Sequence, residues 1–413
     1  MRSKNLSKWT VILAVVALAT LTTATHTAAQ QEAVLHDFNG NGKDGTFPDS
    51  GLTFDQAGNL YGTTRVGGAY NDGAVFELVP RSGGGWSEKV LHSFNPNGKD
   101  GVNPYGGVVL DASGNLYGTT YFGGTYGFGT AYELVHQPGG AWAEKILHNF
   151  NNTGTEGEYP ASGLIFDAVG NLYGTTVLSS PGGLGTVFEL KPRQGGTWAE
   201  KILVSFISSG TGGGNPYGSL IFDSAGNLYG TTAVGGFNGV GTVFELTPAK
   251  NGTWTPSILY SFNNNGTDGY DPIAALVFDS SGNLYGTTYG GGTSSLGTVF
   301  ELTRANGVWT ETVLHSFQAN GDGGNPGYGA LILDSSGNVY GTTLSYGANF
   351  AGTVFELTPA AGGLWTETVL LSFDTNDGAG PYSGLISDSS GNLYGTAQGG
   401  GAYSSGTVFE IKH

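Results

Sequence analysis

The sequence contains no cysteine, and charged residues make up only 11% of its 413 positions. Without cysteine, the chain cannot form a disulfide framework, a thiol nucleophile or a thiolate metal site. Acidic residues outnumber basic ones and give a formal net charge of −17, which argues against binding to nucleic acid or to an anionic membrane surface. No segment shows the apolar spacing of an amphipathic helix. These absences predict an all-β protein that does not bind nucleic acid.

Long apolar runs are also missing from most of the chain, and the one that exists lies near the N-terminus. Arg2, Lys4 and Lys8 precede the apolar stretch Trp9–Leu21, and Thr27–Ala29 offers small residues for cleavage. This order predicts a signal peptide over residues 1–29, and therefore a protein that is secreted or displayed at the cell surface. The alternative is a retained N-terminal anchor. We expect no transmembrane segment in the mature chain, and we expect a monomer.

Glycine, by contrast, is abundant at 75 residues, and it occupies fixed places in a motif that recurs through the chain. The motif reads Gly-Asn-Leu-Tyr-Gly-Thr, with Val339 replacing leucine in one copy, and its tyrosines are 54 to 56 residues apart. A fixed period of this size is typical of a propeller or a solenoid. The seven tyrosines are Tyr61, Tyr117, Tyr173, Tyr229, Tyr285, Tyr340 and Tyr394.

Each repeat contains four short β-patterned segments joined by turns. In one repeat the predicted strands are Leu276–Asp279, Leu284–Thr288, Gly297–Leu302 and Trp309–Phe317, with a Gly-rich loop over Tyr289–Leu296. Seven such units predict a seven-bladed β-propeller with four antiparallel strands per blade, as a single domain over residues 30–413. An open solenoid is the competing architecture.

The two ends of the repeat region favour the propeller. The last repeat stops at its third strand, Gly406–Lys412, whereas Ala33–Phe38 matches the fourth strand of other repeats, such as Val90–Phe94. The N-terminal strand is therefore expected to complete the last blade, which closes the ring and leaves no unpaired edge. In the other repeats a tryptophan stands eight residues before the phenylalanine, but here Gln30 occupies that position.

The segments Asp279–Thr288 and Gly297–Leu302, with their six sister copies, resemble the bacterial "choice-of-anchor tandem repeat GloVer-containing" proteins. The resemblance covers essentially all of residues 33–413. It implies an exported or surface protein. Relatives of this kind carry varied C-terminal anchors, but this sequence ends at Glu410–His413 without a hydrophobic tail or sorting motif. Free secretion is therefore expected in preference to surface attachment.

Carboxylates recur at two fixed positions of the repeat. Seven equivalent glutamates around a ring indicate no single cleft of the kind that glycoside chemistry needs, so we expect them to accept hydrogen bonds within or between blades. The aspartates just before the Gly-Asn turn are expected to cap that turn. We therefore predict no catalytic residue. The glutamates are Glu77, Glu133, Glu189, Glu245, Glu301, Glu356 and Glu410, and the aspartates are Asp55, Asp111, Asp167, Asp223, Asp279, Asp334 and Asp388.

Histidine is scarce, with seven residues, and four of them share one fourth-strand position. These are His36, His92, His148 and His315, and the other repeats have Val204, Tyr260 and Leu371 there. Such replacements predict a packing or surface role. No histidine spacing indicates a metal site, and no Ser/His/Asp arrangement is present.

In a propeller, the fourth-to-first and second-to-third links lie on one face, and both are long in this sequence. Acidic and aromatic groups in these links could hold a glycan by hydrogen bonding and stacking, or simply form turns and pack under the loops. Ca²⁺ is an alternative ligand, but Asn39–Gly45 does not match an EF-hand because Lys43 occupies an oxygen-ligand position. We therefore predict no cofactor and no metal. The predicted ligand-binding residues are Asp44, Asp100, Asp268, Asp322, Asp377, Tyr105, Tyr217, Tyr328 and Tyr382.

The leading functional hypothesis is an exported, non-catalytic propeller that binds an extracellular glycan or a surface protein. The alternative is an extracellular hydrolase or lyase acting on polysaccharide, with Asp271 and Glu158 as carboxylates that occur in single repeats. A third hypothesis is a structural component of a surface layer. The sequence does not name a ligand.

Overall fold

The computed structural model describes residues 31–153, 156–179, 182–207 and 212–412. The predicted signal peptide, residues 1–29, and Gln30 lie outside the described residues. Residues 31–413 cluster as one unit by their internal contacts. Among the described residues, no helix has both the length and the apolar character needed to cross a bilayer.

The chain folds into seven four-stranded antiparallel sheets, which form seven blades in a ring, as the sequence predicted. Blade 1 contains Thr53–Phe54, Leu60–Thr64, Ala74–Pro80 and Trp86–Ser93. Blade 2 contains Val109–Leu110, Leu116–Thr120, Thr130–His136 and Trp142–Asn149. Blade 3 contains Ile165–Phe166, Leu172–Thr176, Gly183–Pro192 and Trp198–Ile207. Blade 4 contains Ile221–Phe222, Leu228–Thr232, Thr242–Pro248 and Trp254–Ser261.

The remaining blades repeat the pattern. Blade 5 contains Val277–Phe278, Leu284–Thr288, Thr298–Ala305 and Val308–Ser316. Blade 6 contains Ile332–Leu333, Val339–Ser345, Thr353–Pro359 and Trp365–Ser372. Blade 7 contains Ile386–Ser387, Leu393–Ala397, Thr407–Lys412 and, as its fourth strand, Gln31–Asp37. One 3₁₀ turn, Ala361–Gly363, is the only helical element in the described part of the chain.

Very short strands lie on the face that carries the long links, which we call the rim, and these strands were not predicted. They pair the fourth-to-first link with the second-to-third link, so both links lie on the same side, as expected. One of these strands, Gly290–Gly291, falls within the segment predicted as a loop. The rim pairs are Gly45–Thr46 with Val66–Gly67, Gly101–Val102 with Phe122–Gly123, Gly157–Glu158 with Leu178–Ser179, Gly213–Gly214 with Val234–Gly235, and Gly269–Tyr270 with Gly290–Gly291. In blade 6, Gly324–Pro326 pairs directly with the second strand.

The ring closes through the N-terminal strand, which confirms the prediction from the chain ends. Gln31 pairs with Lys412 and Asp37 pairs with Thr407, in antiparallel register. The Phe38 N–H then donates a hydrogen bond to the Gly406 carbonyl at 3.0 Å. Two segments at opposite ends of the sequence therefore form one blade.

The hydrophobic core is divided into seven clusters, and each cluster lies between two neighbouring blades. At the closure, Phe38, Tyr394 and Val408 of blade 7 pack with Leu60 and Phe76 of blade 1, all at most 6% exposed. Because each cluster needs residues from two sheets, no blade can bury its apolar face alone. A closed ring satisfies this requirement for all seven blades.

The repeated tyrosine connects a blade's polar network with the core of the next blade. The Tyr229 hydroxyl lies 2.8 Å from Glu245 Oε1 and 3.1 Å from Asp223 Oδ2. Its one hydrogen is therefore shared between two carboxylate acceptors. Asp223 Oδ1 also accepts hydrogen bonds from the backbone N–H groups of Ala225 and Asn227. Equivalent contacts in the other repeats confirm the turn-capping role of the aspartates and the acceptor role of the glutamates.

Replacing Tyr229 by phenylalanine tests this network. The change keeps the packed ring but removes the donor shared by the two carboxylates, so we expect the free energy of unfolding to fall by about 1–3 kcal/mol. Denaturant unfolding measures the difference. Tyr403→Phe is the control, because Tyr403 is 61% exposed and should change the stability by less than about 0.5 kcal/mol. Equal effects of the two substitutions would contradict the assigned role.

The closing blade is expected to be the least stable one. In four other places the fourth-strand tryptophan packs against the repeated tyrosine of the preceding blade, as Trp198 does on Tyr117 at 6.3 Å between ring centroids. Gln30 replaces this tryptophan in blade 7. Hydrogen exchange should therefore show faster amide exchange in Thr407–Lys412 than in its six equivalents. Equal protection of all seven strands would disprove the expectation.

Candidate functional site

A central cavity of about 300 Å³ is lined by residues just before the first strand of every blade, and by first-strand residues of blades 1, 2, 3 and 7. The small residues that the sequence places before each first-strand apolar residue all line it, as expected for close approach at the axis. A Cβ on Gly107 would lie 2.8 Å from the Gly51 carbonyl oxygen, so even alanine would crowd the neighbouring blade here. These residues are Gly51, Gly107, Gly163, Ser219, Ala275, Ala330 and Gly384.

Around this cavity, three positions of the repeat differ strongly from blade to blade. We call these residues the mouth residues. The first position precedes the loop proline: Phe47, Asn103, Tyr159, Asn215, Asp271, Asn325 and Gly380. The second position directly follows the proline, except in blade 6, where it lies one residue further along the chain: Asp49, Tyr105, Ala161, Tyr217, Ile273, Tyr328 and Tyr382. The third lies two residues after the threonine that ends the repeated motif: Arg65, Tyr121, Val177, Ala233, Tyr289, Leu344 and Gln398.

The four predicted tyrosines lie among the mouth residues, and the structure brings three of them into direct contact. Tyr328 stacks on Tyr382 with 4.6 Å between ring centroids and meets Tyr217 edge-on at 5.6 Å. Tyr105 contacts Tyr121 at 4.9 Å between centroids. All five rings are partly exposed. A second cavity, of about 380 Å³, is lined by Tyr217, Tyr328 and Tyr382 together with six other mouth residues.

Tyr159 extends the second aromatic group, since it stacks on Tyr121 at 5.1 Å between centroids. The mouth thus carries two sets of tyrosines, one contributed by blades 2 and 3 and the other by blades 4, 6 and 7. Burial among neighbouring tyrosines raises the pKa of Tyr121 to about 12. The Tyr121 hydroxyl therefore remains protonated at neutral pH and can donate a hydrogen bond.

An ion pair provides the charged part of the mouth. Arg65 Nε lies 2.8 Å from Asp49 Oδ2, and the Arg65 guanidinium lies 5.5 Å from the ring centroids of both Phe47 and Tyr105. Its Nη1 donates a hydrogen bond to the Tyr105 hydroxyl at 3.3 Å. Burial raises the pKa of Asp49 to about 6, although the Arg65 charge opposes the shift. Arg65 is thus held in place by its contacts with blades 1 and 2.

The position before the proline has a left-handed backbone in all seven repeats. Where it is asparagine, the side chain compensates: Asn103 Nδ2 donates to the Arg65 carbonyl at 3.0 Å, and Asn215 Nδ2 to the Val177 carbonyl at 2.9 Å. Phe47 (φ 56°) and Tyr159 (φ 61°) have no amide for such a bond and still adopt this conformation. Strain of this kind costs about 1–3 kcal/mol per residue and concentrates at functional sites.

The predicted aspartates do not lie among the mouth residues. Asp44, Asp100, Asp268 and Asp322 are buried beneath the rim, and each contacts the fourth strand of a blade, the strand farthest from the axis. Asp377 is half-buried in the corresponding loop. The structure therefore separates the predicted binding residues into an axial tyrosine group and a peripheral acidic group.

The fourth-strand histidines contact these acidic residues. His92 Nε2 lies 3.3 Å from Asp100 Oδ2 and 3.8 Å from Glu144 Oε1, which belongs to the fourth strand of the next blade. Burial, together with the nearby Asp100 carboxyl, raises the pKa of Glu144 to about 9, and burial lowers the pKa of His148 to about 4. The sequence prediction of a packing or surface role for the histidines missed these partners.

Several mouth residues were not among the predicted ones, including Asp49, Arg65 and Gln398. Aligning the seven repeats by position reveals them, because each occurs at a place where the residue type changes between blades while the surrounding strands do not. The acidic partner Glu144 could have been found as the carboxylate two residues after the fourth-strand tryptophan.

Solved structures with a similar fold include several enzymes. A putative 6-phosphogluconolactonase from Bacteroides uniformis has 13% identity and a TM-score of 0.51, with 78% of this chain and 84% of that one covered. A putative glucose dehydrogenase from Thermus thermophilus has 15% identity and a TM-score of 0.45, covering 92% and 99%. An ancestral GH74 enzyme has 12% identity and a TM-score of 0.46, covering 90% and 59%. At 13% identity, the similarity to the first of these structures concerns the fold alone.

No protein with a curated description matches the chain in sequence. A family model does match: residues 19–135, 81–277 and 250–413 each align with the Gloeobacter/Verrucomicrobia repeat. Together these stretches include every blade. The chain belongs to the Gloeobacter/Verrucomicrobia repeat family.

Proposed function

We propose that the protein is an exported, non-catalytic binding protein, and that its ligand is a neutral glycan held by the mouth residues. The observation that carries the proposal is where the repeats differ. The strands, turns and interblade clusters recur almost unchanged, whereas the three mouth positions carry aromatic, amide, acidic, basic and aliphatic side chains in different blades. A purely structural ring has no need for such variation at its axis.

The chemistry of the mouth suits carbohydrate. Partly exposed tyrosine rings offer apolar faces for stacking and hydroxyls for hydrogen bonds, and they lose little conformational entropy on binding. The stacked pair Tyr328–Tyr382 and the neighbouring Tyr217 form one wall of a cavity of about 380 Å³. That volume is within the range of small-ligand pockets. The net charge of −17 favours a neutral sugar over an acidic polysaccharide.

The carboxylates offer less support for catalysis. The third-strand glutamates accept hydrogen bonds from the repeated tyrosines, and Asp49 is paired with Arg65. Glu158, a candidate for the enzymatic alternative, is buried at 7% exposure in a rim strand. Asp271 remains at the mouth beside Tyr289 and Tyr328, and burial raises its pKa. Glycoside hydrolysis requires two carboxyl groups with different roles, and Asp271 alone does not provide them.

Substitution of the tyrosine wall tests the binding site. A neutral-oligosaccharide array should identify a ligand for the wild type, and calorimetry with that ligand should show about tenfold weaker binding, or about 1.4 kcal/mol, for Tyr217→Ala and for Tyr382→Ala. Phe237→Ala is the matched control, because Phe237 is an aromatic residue that is 79% exposed on a second-to-third loop. An array without binding, or affinity that falls only in the control, would refute the proposal.

Incubation with a panel of polysaccharides separates binding from turnover. We expect no new reducing ends and no unsaturated sugars. If such products appear and Asp271→Asn abolishes them, the protein is an enzyme and the non-catalytic proposal is wrong. If they appear and persist in this variant, the proposal is equally wrong, and the catalytic carboxylate lies elsewhere.

A further inference from the structure

Carboxylates meet in pairs at the boundaries between blades. One member comes from a fourth-to-first link and the other from the fourth strand of the following blade. In three of these places a histidine from the preceding fourth strand completes a cluster whose ligand-type atoms all lie within 4.8 Å of one another. The clusters are His36, Asp44 and Glu88; His92, Asp100 and Glu144; and His148, Glu156 and Glu200.

The carboxylates in these clusters present acceptor atoms that no donor satisfies. Within the described residues, Asp100 Oδ1 and Glu144 Oε1 are both buried without a hydrogen-bond partner, and Asp100 is only 6% exposed. Glu200 Oε1 is also buried without a partner, on a side chain that is 8% exposed. His148 Nε2 is likewise buried without a hydrogen-bond partner. Buried acceptors that face one another need either a shared proton or a cation between them.

The separations within the clusters match those around a metal ion. Two ligand atoms that are each ~2.1 Å from a tetrahedral Zn²⁺ lie ~3.4 Å apart. His92 Nε2 lies 3.3 Å from Asp100 Oδ2 and 3.8 Å from Glu144 Oε1. His148 Nε2 lies 3.7 Å from Glu156 Oε2 and 3.6 Å from Glu200 Oε2, longer than ordinary hydrogen bonds.

The boundaries that lack histidine differ in how many of the three residues they keep. At the boundary between blades 3 and 4, the equivalent positions are Val204, Gly212 and Pro256, so histidine and both carboxylates are absent. At the boundary between blades 4 and 5, tyrosine replaces only the histidine, giving Tyr260, Asp268 and Glu311. The boundary between blades 6 and 7 also keeps the link aspartate and the strand glutamate, Asp377 and Glu32, beside Leu371, so these carboxylates also meet without histidine.

We propose that each of the three clusters binds a divalent transition-metal ion of the Zn²⁺ type, through one histidine nitrogen and one oxygen from each of two carboxylates. The single imidazole favours such an ion over Ca²⁺, which prefers an all-oxygen shell. Three protein ligands leave the fourth position to water. Each ion would connect two neighbouring blades, because the histidine and the link carboxylate belong to one side of the boundary and the strand glutamate to the other.

Calorimetric titration with ZnCl₂ tests the assignment. The protein is produced without a polyhistidine tag and treated with a chelator before titration. We expect Glu144→Gln to bind one equivalent of zinc fewer than the wild type. The amide can donate a hydrogen bond to Asp100, so the variant should fold, and circular dichroism checks this. X-ray absorption on the zinc-loaded wild type should show one imidazole nitrogen per metal, with the remaining ligands oxygen.

The cluster with tyrosine supplies the matched control. Glu311→Gln changes the same strand position beside Tyr260 and Asp268, where no histidine is present, so the number of bound zinc ions should equal that of the wild type. If the wild type binds no zinc, the carboxylates share a proton and the proposal is wrong. It is also wrong if Glu144→Gln keeps the wild-type number of ions, or if Glu311→Gln loses one as well.

Discussion

Burial of apolar side chains between sheets, and not within one sheet, is the constraint on which this fold depends. Each of the seven clusters draws residues from two blades, so a single blade in water would expose half of a core. The repeated tyrosine serves both sides of this boundary. Its hydroxyl is held by two carboxylates of its own blade, while its ring packs against aromatic residues of the next, as Tyr173 does against Phe222 and Trp254. A ring is the arrangement that gives every blade two neighbours.

How strictly this constraint fixes the residue types depends on the distance from the ring axis. Between the blades, packing fixes the residue types, and the repeats are nearly identical there. At the axis, the small residues before the first strands allow the backbones to lie close together, and the side chains around the cavity can change without disturbing a strand. Near the outer edge, the fourth strands carry histidine and carboxylate that meet across blade boundaries. The proposed recognition and the proposed linkage between blades therefore involve separate groups of residues.

Much of the architecture could be predicted from the sequence, because the repeat sets the blade count and the β-patterned segments set the strands. The ring closure was predictable for the same reason, since Val34–Phe38 matches a strand that the last repeat lacks. The rim strands were not, because segments such as Gly290–Gly291 have no β-forming side chains and depend on a partner from another link.

The site was only partly predictable. Loop position relative to the proline indicated the mouth tyrosines, but the aspartates of the same loops turn outward, since each accepts hydrogen bonds from its own loop backbone, as Asp44 does from Asn39. The Arg65–Asp49 ion pair joins a residue that follows the second strand of blade 1 to a residue of the link before its first strand. The cluster with Glu144 joins two blades. Aligning the repeats indicates these positions, but which of the residues meet depends on the three-dimensional arrangement.

The pairing of Gln31–Asp37 with Thr407–Lys412 also constrains how the molecule can be made. A ribosome adds about 5–20 residues per second, so the first of these strands waits roughly 20–75 s before the second has been synthesised. Until then Gln31–Asp37 lacks its partner strand, and the cluster between blades 7 and 1 lacks Val408. The strand Thr407–Lys412, synthesised long after Gln31–Asp37, supplies the missing partner.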